Sequence, residues 1–454
     1  MTRSRATKFN HNHNHYRKSE IRLLFSFSLL IFFLKIIWLS NQPGQGMLGA
    51  DGENYLDALN GLLKDGVFSK EGKLSYWPAG YPILMWPIAR LNLGSFPLLV
   101  GILQSLLFAI STFLFSNELI RTSLRKFAWP CLFLLNLSPT LSLNSVVIGY
   151  EVSSGALLLF AITMYLRIIR KKKLSVLSFE NLGAAFALML ATFMQPRMFL
   201  IAIGIFVPFA IFRYRGTLIA AFIAVSVLIV SLAPVALIFR NMEANGYASV
   251  STNLGNTMNI GAGPSANGGY TNSAKGVPCN NIEGNASQQD THKIACVLKW
   301  YFENPAKAVK LFVSKFFFHW SPWFGPLANG TMARNPWISF HPLASTAKTE
   351  SGNSLIFGNT GKIVSWFWVL SSLALLGLGF LALRRGGGVS ELLAWLFITP
   401  VVLNSLTSMA TIGDHRFRIP TLTLSVLLQL FGAYSLLSKN MFNIVKEDIK
   451  IVQI

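Results

Sequence analysis

Five stretches of this sequence carry residues able to do acid–base or phosphate chemistry. The first is Ala50-Asp51-Gly52-Glu53-Asn54-Tyr55. Tyr55, Leu59, Leu62 and Leu63 follow at helical spacing and Gly66 ends the run, so Asp51 stands just before a short amphipathic helix. A carboxylate there either caps the helix or serves as a base that takes a proton from an acceptor hydroxyl. The pair Asp51 and Glu53 is a weak divalent-cation signal, and neither a metal nor another cofactor is expected. The second stretch, Tyr76-Trp77-Pro78-Ala79-Gly80-Tyr81-Pro82, is a rigid aromatic turn. It suits an interfacial anchor or, with Tyr55, one wall of a lipid or sugar site built from Tyr76, Trp77 and Tyr81. Glu151 opens an apolar run and Arg197 lies in a Gln-Pro-Arg turn between two others. The last stretch is Gly413-Asp414-His415-Arg416-Phe417-Arg418, where two guanidinium groups and an imidazole crowd a short connection. Guanidinium groups bind phosphate oxygens through paired hydrogen bonds.

The elements that must position these residues are set by composition. Of 454 residues 52% are hydrophobic and only 13% charged, against about 25% charged in soluble domains. Mean hydropathy is +0.48. A soluble enzyme is excluded. Lys and Arg outnumber Asp and Glu by 39 to 18, a net charge of +21. The basic residues cluster at the ends of apolar runs, which is the cytoplasmic bias of a membrane protein and not a nucleic-acid footprint. The expected fold is therefore all-α and polytopic, with membrane lipids around it.

Ten apolar stretches are long enough, or nearly so, to cross: 22–40, 94–119, 127–146, 152–169, 182–195, 198–212, 217–239, 363–383, 389–409 and 419–437. With both termini inside, strict alternation puts every basic cluster in the cytoplasm. That needs 182–212 to cross twice, turning at Gln195-Pro196-Arg197, and 81–91 to lie in the interface. The organisation is then a basic tail (1–21), a transmembrane region (22–239) whose first outer loop (41–93) carries Asp51, and a large, partly irregular outer loop (240–362). C-terminal spans (363–438), with an outer connection at 410–418, and a tail (439–454) complete it. Asp51, Glu151, Arg197 and the arginine string all fall on the outer face. At that depth an acid or a cation is expensive without a polar cavity or partner. A Glu151–Arg197 pair is the structural alternative. Trp300 to Trp323, with Lys307, Lys310 and Lys315, suits a helix against headgroups. Cys279 and Cys296 share the large loop, and spacing alone does not say whether they meet.

These pieces, in this order, resemble the C superfamily of membrane glycosyltransferases, in particular the bacterial branch similar to protein O-mannosyltransferases and lipid A aminoarabinose transferases. The resemblance rests on Asp51, Tyr55 and Ala58, on Trp77 to Pro82, and on Glu151 and Gln195-Pro196-Arg197. It continues through Arg240-Asn241, Ser251 to Gly255, Asn259 to Gly261, and Asp414 to Pro420. The family would usually have a second proline at Ala79 and a Gly-Asn pair near Gly261-Ala262. The resemblance implies an inverting transferase in a bacterial inner membrane. It would move a sugar from a polyprenyl-phosphate donor to a lipid, polysaccharide or protein hydroxyl. Asp51 would be the base, Glu151 an auxiliary acid or orienting group, and Arg416, Arg418, His415 and Arg197 the donor-phosphate ligands. An O-antigen polymerase or ligase with a diphosphate-linked donor needs no first-loop acid. A flippase or other transporter would spread ionisable residues along several spans and show repeats; here they gather on one face.

Overall fold

The computed structural model describes residues 2–41, 47–48, 51–91, 94–171, 175–269, 276–320 and 358–437. The later part of the large loop and the C-terminal tail lie outside the described residues. The chain is an all-α polytopic membrane protein. Seven helices are long and apolar enough to cross a membrane: the greater part of α1 (Thr2–Ser40), α5 (Phe96–Leu119), α8 (Glu151–Arg170), α11 (Thr217–Asn245), α15 (Gly358–Arg385), α16 (Gly388–Ala410) and α17 (Ile419–Leu437). The basic tail continues α1 as one helix back to Thr2.

Three of the ten expected crossings are shorter. Helices α9 (Phe179–Met194) and α10 (Met198–Arg213) have 16 residues each, about 24 Å of helix against a hydrocarbon core of about 30 Å. They meet at the Gln195-Pro196-Arg197 turn. The stretch 127–146 is not one span. Pro139 follows Ser138, whose backbone is extended, and this separates α6 (Ala128–Leu137) from α7 (Pro139–Asn144).

The first connection folds into α2 (Gly52–Asp65), α3 (Lys73–Tyr76) and α4 (Gly80–Leu91). Helix α4 lies against α2, α5 and α9, and its first residue is in close contact with α9. A Cβ at Gly80 would collide with the carbonyl of Phe193. Gly80→Ala should therefore destabilise the fold by about 1–3 kcal/mol, read as a lower thermal midpoint in nanodiscs. Unchanged stability would mean that α4 can slide off α9.

The segment between α11 and α15 builds a second, smaller core. Helices α12 (Leu254–Ile260), α13 (Ala286–Glu303) and α14 (Pro305–Trp320) enclose Met258, Ala262, Val277, Val297, Trp300 and Leu311. Asn285 and Gln288 form a reciprocal capping box that starts α13.

The bundle's two ends differ in charge chemistry. At one end Glu118 is buried between Arg167 and Arg170, Lys171 pairs with Glu180 at 2.7 Å, and Arg125 pairs with Glu20 at 2.6 Å. Lys126 donates to the Tyr434 hydroxyl there. These are the basic clusters that alternation assigns to a single side. The opposite end gathers Asp51, Glu151, Arg197 and Arg416. Two of its supports, α8 and α17, are the most enclosed of the seven spans.

Candidate functional site

Asp51 precedes α2 as expected, yet its side chain makes no capping hydrogen bond. It reaches instead to Arg416, whose Nη2 donates to Asp51 Oδ2. The same guanidinium donates from Nε to Glu151 Oε1 at 2.6 Å. One cation thus bridges two carboxylates that lie 365 and 265 residues away in sequence. Side-chain exposure is 16% for Asp51, 9% for Arg416 and 2% for Glu151. Asp51 is the carboxylate open to an incoming molecule, and Glu151 is the buried one. A Glu151–Arg197 pair does not form.

The local backbone explains the meeting. Met47–Leu48 and Val147–Ile148 pair as two parallel strands, β1 and β2, in register Met47 with Val147 and Leu48 with Ile148. Three residues beyond each strand stand Asp51 and Glu151. Tyr81 buttresses this junction. Its hydroxyl donates to Gln104 Oε1 at 2.8 Å and accepts from the Gly149 N–H at 2.9 Å, while Gln104 Nε2 donates to the Val147 carbonyl at 2.7 Å. Tyr81 is 1% exposed, so it is a post inside the fold and does not line an open surface, contrary to expectation. Its ring lies 4.7 Å from that of Tyr55. Tyr55 is buried beside the acids. Burial, with the Glu151 and Asp51 charges added, pushes its phenol well above the ordinary range, so it remains a neutral hydroxyl.

At the start of α17, Asp414 caps a single 3-10 turn, His415–Arg418, by accepting from the Arg416 N–H at 2.8 Å. That turn aims Arg416 at the acids. His415 and Arg418 are both buried, with His415 Nδ1 3.9 Å from Asp414 and the Arg418 guanidinium 5.4 Å from the Trp320 ring centre. Arg197 sits at the α9–α10 turn, 4.5 Å from the Phe417 ring centre, and its Nη2 is 3.4 Å from the Tyr150 hydroxyl. Gln195 donates to the same hydroxyl at 3.0 Å. Burial raises the Tyr150 phenol while the Arg197 cation opposes it. Arg197 Nε is buried without a hydrogen-bond partner, and Arg197 has no carboxylate partner among the described residues. Arg416, expected among the phosphate ligands, is engaged by both acids.

Glu53 is exposed and lies two residues along α2 from Asp51, so the two carboxylates do not converge on one point. Among the described residues no cluster of three or more His, Cys, Asp or Glu side chains could hold a metal ion. Tyr76 is partly exposed, accepts from Asn256 Nδ2 at 2.9 Å and meets Trp77 edge to face at 5.4 Å. Here the first loop meets the large one, in which Lys293 also donates to Asn256, at 2.7 Å.

Several side chains have structural roles that the sequence reading did not assign. Arg240 clamps the first loop, donating to the carbonyls of Val67 (2.9 Å), Leu74 (3.1 Å) and Ser69. Asn241 holds the Ser249 carbonyl at 2.7 Å, so the Arg-Asn pair locks both loops together. Lys35, a charge inside an apolar run, donates to Ser145 at 3.2 Å and lies 4.8 Å from the Phe108 ring centre. Its isolation in that run was the available signal.

Lys315 does not face headgroups. Ala308, Leu311, Lys315 and His319 form the buried stripe of α14. A Cβ at Gly413 would collide with the Lys315 backbone, so this stripe buttresses the arginine turn directly. Lys315 Nζ donates to the Tyr301 hydroxyl at 2.8 Å. Burial lowers its ammonium from 10.5 to about 7. Between those values the unfolded chain binds the extra proton, so the contribution of Lys315 to stability rises with pH from about 7 to 10.5 and is flat below. The thermal midpoint of the wild type minus that of Lys315→Met should climb across this window. A constant difference would show that the amine titrates normally.

No protein-family model matches this chain, and no curated protein matches it either.

Proposed function

We propose that this protein is an inverting membrane glycosyltransferase that moves a sugar from a polyprenyl-phosphate donor to a hydroxyl of a lipid, glycan or protein acceptor. The observation that carries the reading is the convergence of Asp51, Glu151 and Arg416 from three distant segments at one end of a transmembrane bundle. In this reading the site face is the outer side of a bacterial plasma membrane and both termini are cytoplasmic. The opposite face, rich in Arg and Lys, fits that orientation.

Asp51 accepts the proton of the acceptor hydroxyl. The oxygen forms a bond to the anomeric carbon from the face opposite the phosphate. The bond from that carbon to the phosphate oxygen breaks, and polyprenyl phosphate leaves with the electron pair. Glu151 anchors Arg416, and Arg416 aims the Asp51 carboxylate. Arg197, with its buried Nε unsatisfied, is the cation best placed to receive the developing phosphate charge. Arg418 and His415 stand next to it, and Tyr55, Tyr76 and Trp77 border the approach.

The test is sugar transfer by the full chain in nanodiscs from a panel of radiolabelled polyprenyl-phosphate and polyprenyl-diphosphate sugars to a crude acceptor extract. Transfer from a monophosphate donor is expected. Transfer from diphosphate donors alone would replace the reading with a polymerase or ligase. Arg197→Gln should raise the apparent KM for the donor about 10- to 100-fold, the worth of one charged hydrogen bond, while the thermal midpoint is unchanged. An unaltered donor KM would remove Arg197 from phosphate binding.

A further inference from the structure

The segment between α11 and α15 contains two of the chain's three cysteines, and the fold brings them together. Cys279 lies on the 276–285 loop and packs against the small core beside Val277. Cys296 lies on α13. Both are half-buried, whereas Cys131 is fully buried in α6. Both are free thiols here; burial pushes the Cys279 thiol up, and the neighbouring Cys296 adds to that shift. His292 stands one helical turn before Cys296, with Nε2 3.6 Å from Cys296 Sγ and 3.1 Å from the Asn280 carbonyl. With Nε2 protonated the imidazole donates to that carbonyl, so His292 ties the residue after Cys279 to the turn of α13 that carries Cys296.

We propose that Cys279 and Cys296 are joined as a structural disulfide that staples the 276–285 loop to α13. The Cys296 thiolate attacks the disulfide of an oxidised dithiol carrier, and a carrier thiolate leaves. Cys279 then attacks the mixed disulfide, forming the Cys279–Cys296 bond and releasing the second carrier thiol. Two electrons and two protons pass from the cysteine pair to the carrier, which ends as a dithiol. The staple matters beyond its own loop. The Val277 N–H in that loop donates to Asn259 Oδ1 at 2.6 Å, Asn259 lies on α12, and the Gly268 carbonyl accepts from the Gly413 N–H at 2.9 Å. The cross-link therefore holds the ground on which the arginine turn rests. It is independent of the transfer chemistry proposed above, and its test reads no turnover.

The experiment is differential thiol labelling of the full chain taken directly from native membranes. Free thiols are blocked with a light maleimide in denaturant, and the protein is then reduced and labelled with a heavy maleimide. The expected result is the light label on Cys131, the heavy label on Cys279 and Cys296, and a cross-linked peptide containing both in the unreduced digest. Light label on Cys279 and Cys296 would overturn the proposal, because it shows two free thiols. As a second readout, reductant should lower the wild-type thermal midpoint by on the order of 5 °C and leave Cys279→Ser/Cys296→Ser unaffected. An equal shift in both would also overturn it. If the double variant fails to fold, the wild-type labelling still decides.

Discussion

Asp51→Asn should reduce sugar transfer about 10²- to 10⁴-fold, the range over which a positioned base contributes, with little change in folding. The amide is nearly isosteric, and its oxygen can still accept from Arg416 Nη2, the partner of the Asp51 carboxylate. The bridge to Glu151 through Nε, at 2.6 Å, is untouched. Only the ability to take a proton is lost. The measurement is single-turnover transfer at saturating donor, with insertion and thermal midpoint matched to wild type. Loss in kcat with unchanged donor KM separates a base from a binding group. Full turnover in the variant would falsify the assignment and reduce Asp51 to a counter-ion.

Arg416→Met should be the most destabilising single change at the site. Removing the guanidinium strands Glu151, whose side chain is 2% exposed, and Asp51 at 16%. An unpaired buried carboxylate typically costs about 3–5 kcal/mol, enough to lower the thermal midpoint by many degrees. Lysine should recover only part of the loss, because a single ammonium cannot offer the fork that spans two carboxylates. The decisive comparison adds Glu151→Gln to Arg416→Met. Once the stranded charge is neutralised, the pair of changes should cost less than the sum of the two alone, by about 0.5–3 kcal/mol. The double variant should still transfer no sugar at a measurable rate, since Asp51 has lost its guide. Additive costs would mean that the two side chains do not depend on each other in the folded protein.

The two predictions locate where sequence reading ran out. Hydropathy and charge identified a polytopic helical protein, because lipid demands long apolar helices whatever their neighbours. Parity along those helices then put Asp51, Glu151, Arg197 and Arg416 at the same end. Parity says nothing about lateral packing. It left Asp51 equally able to cap α2, and the structure shows the side chain turned away from the cap toward Arg416. The aromatic turn, for its part, made Tyr81 a lining residue, whereas its hydroxyl is committed to Gln104 and Gly149. Lys315 reads as an interfacial cation from composition, yet it occupies the stripe set by Ala308, Leu311 and His319. That i, i+4 pattern was present in the chain and was masked by the residue's charge.

What the sequence determined by itself is the class of molecule, the end of the bundle at which the chemistry-bearing residues gather, and the Gln-Pro-Arg turn. Each follows from local properties: apolar length, basic flanks, and proline's effect on the residue before it. Only the tertiary structure decided that a two-residue parallel pair of strands sets Asp51 beside Glu151, and that Arg416 is shared between them while Arg197 is not. The physical reason is range. Strands of two residues have no periodicity to read. A guanidinium pairs with whichever carboxylate the packing of α8 and α17 delivers to it, and that packing is settled by side-chain shape across hundreds of residues rather than by any pattern along the chain.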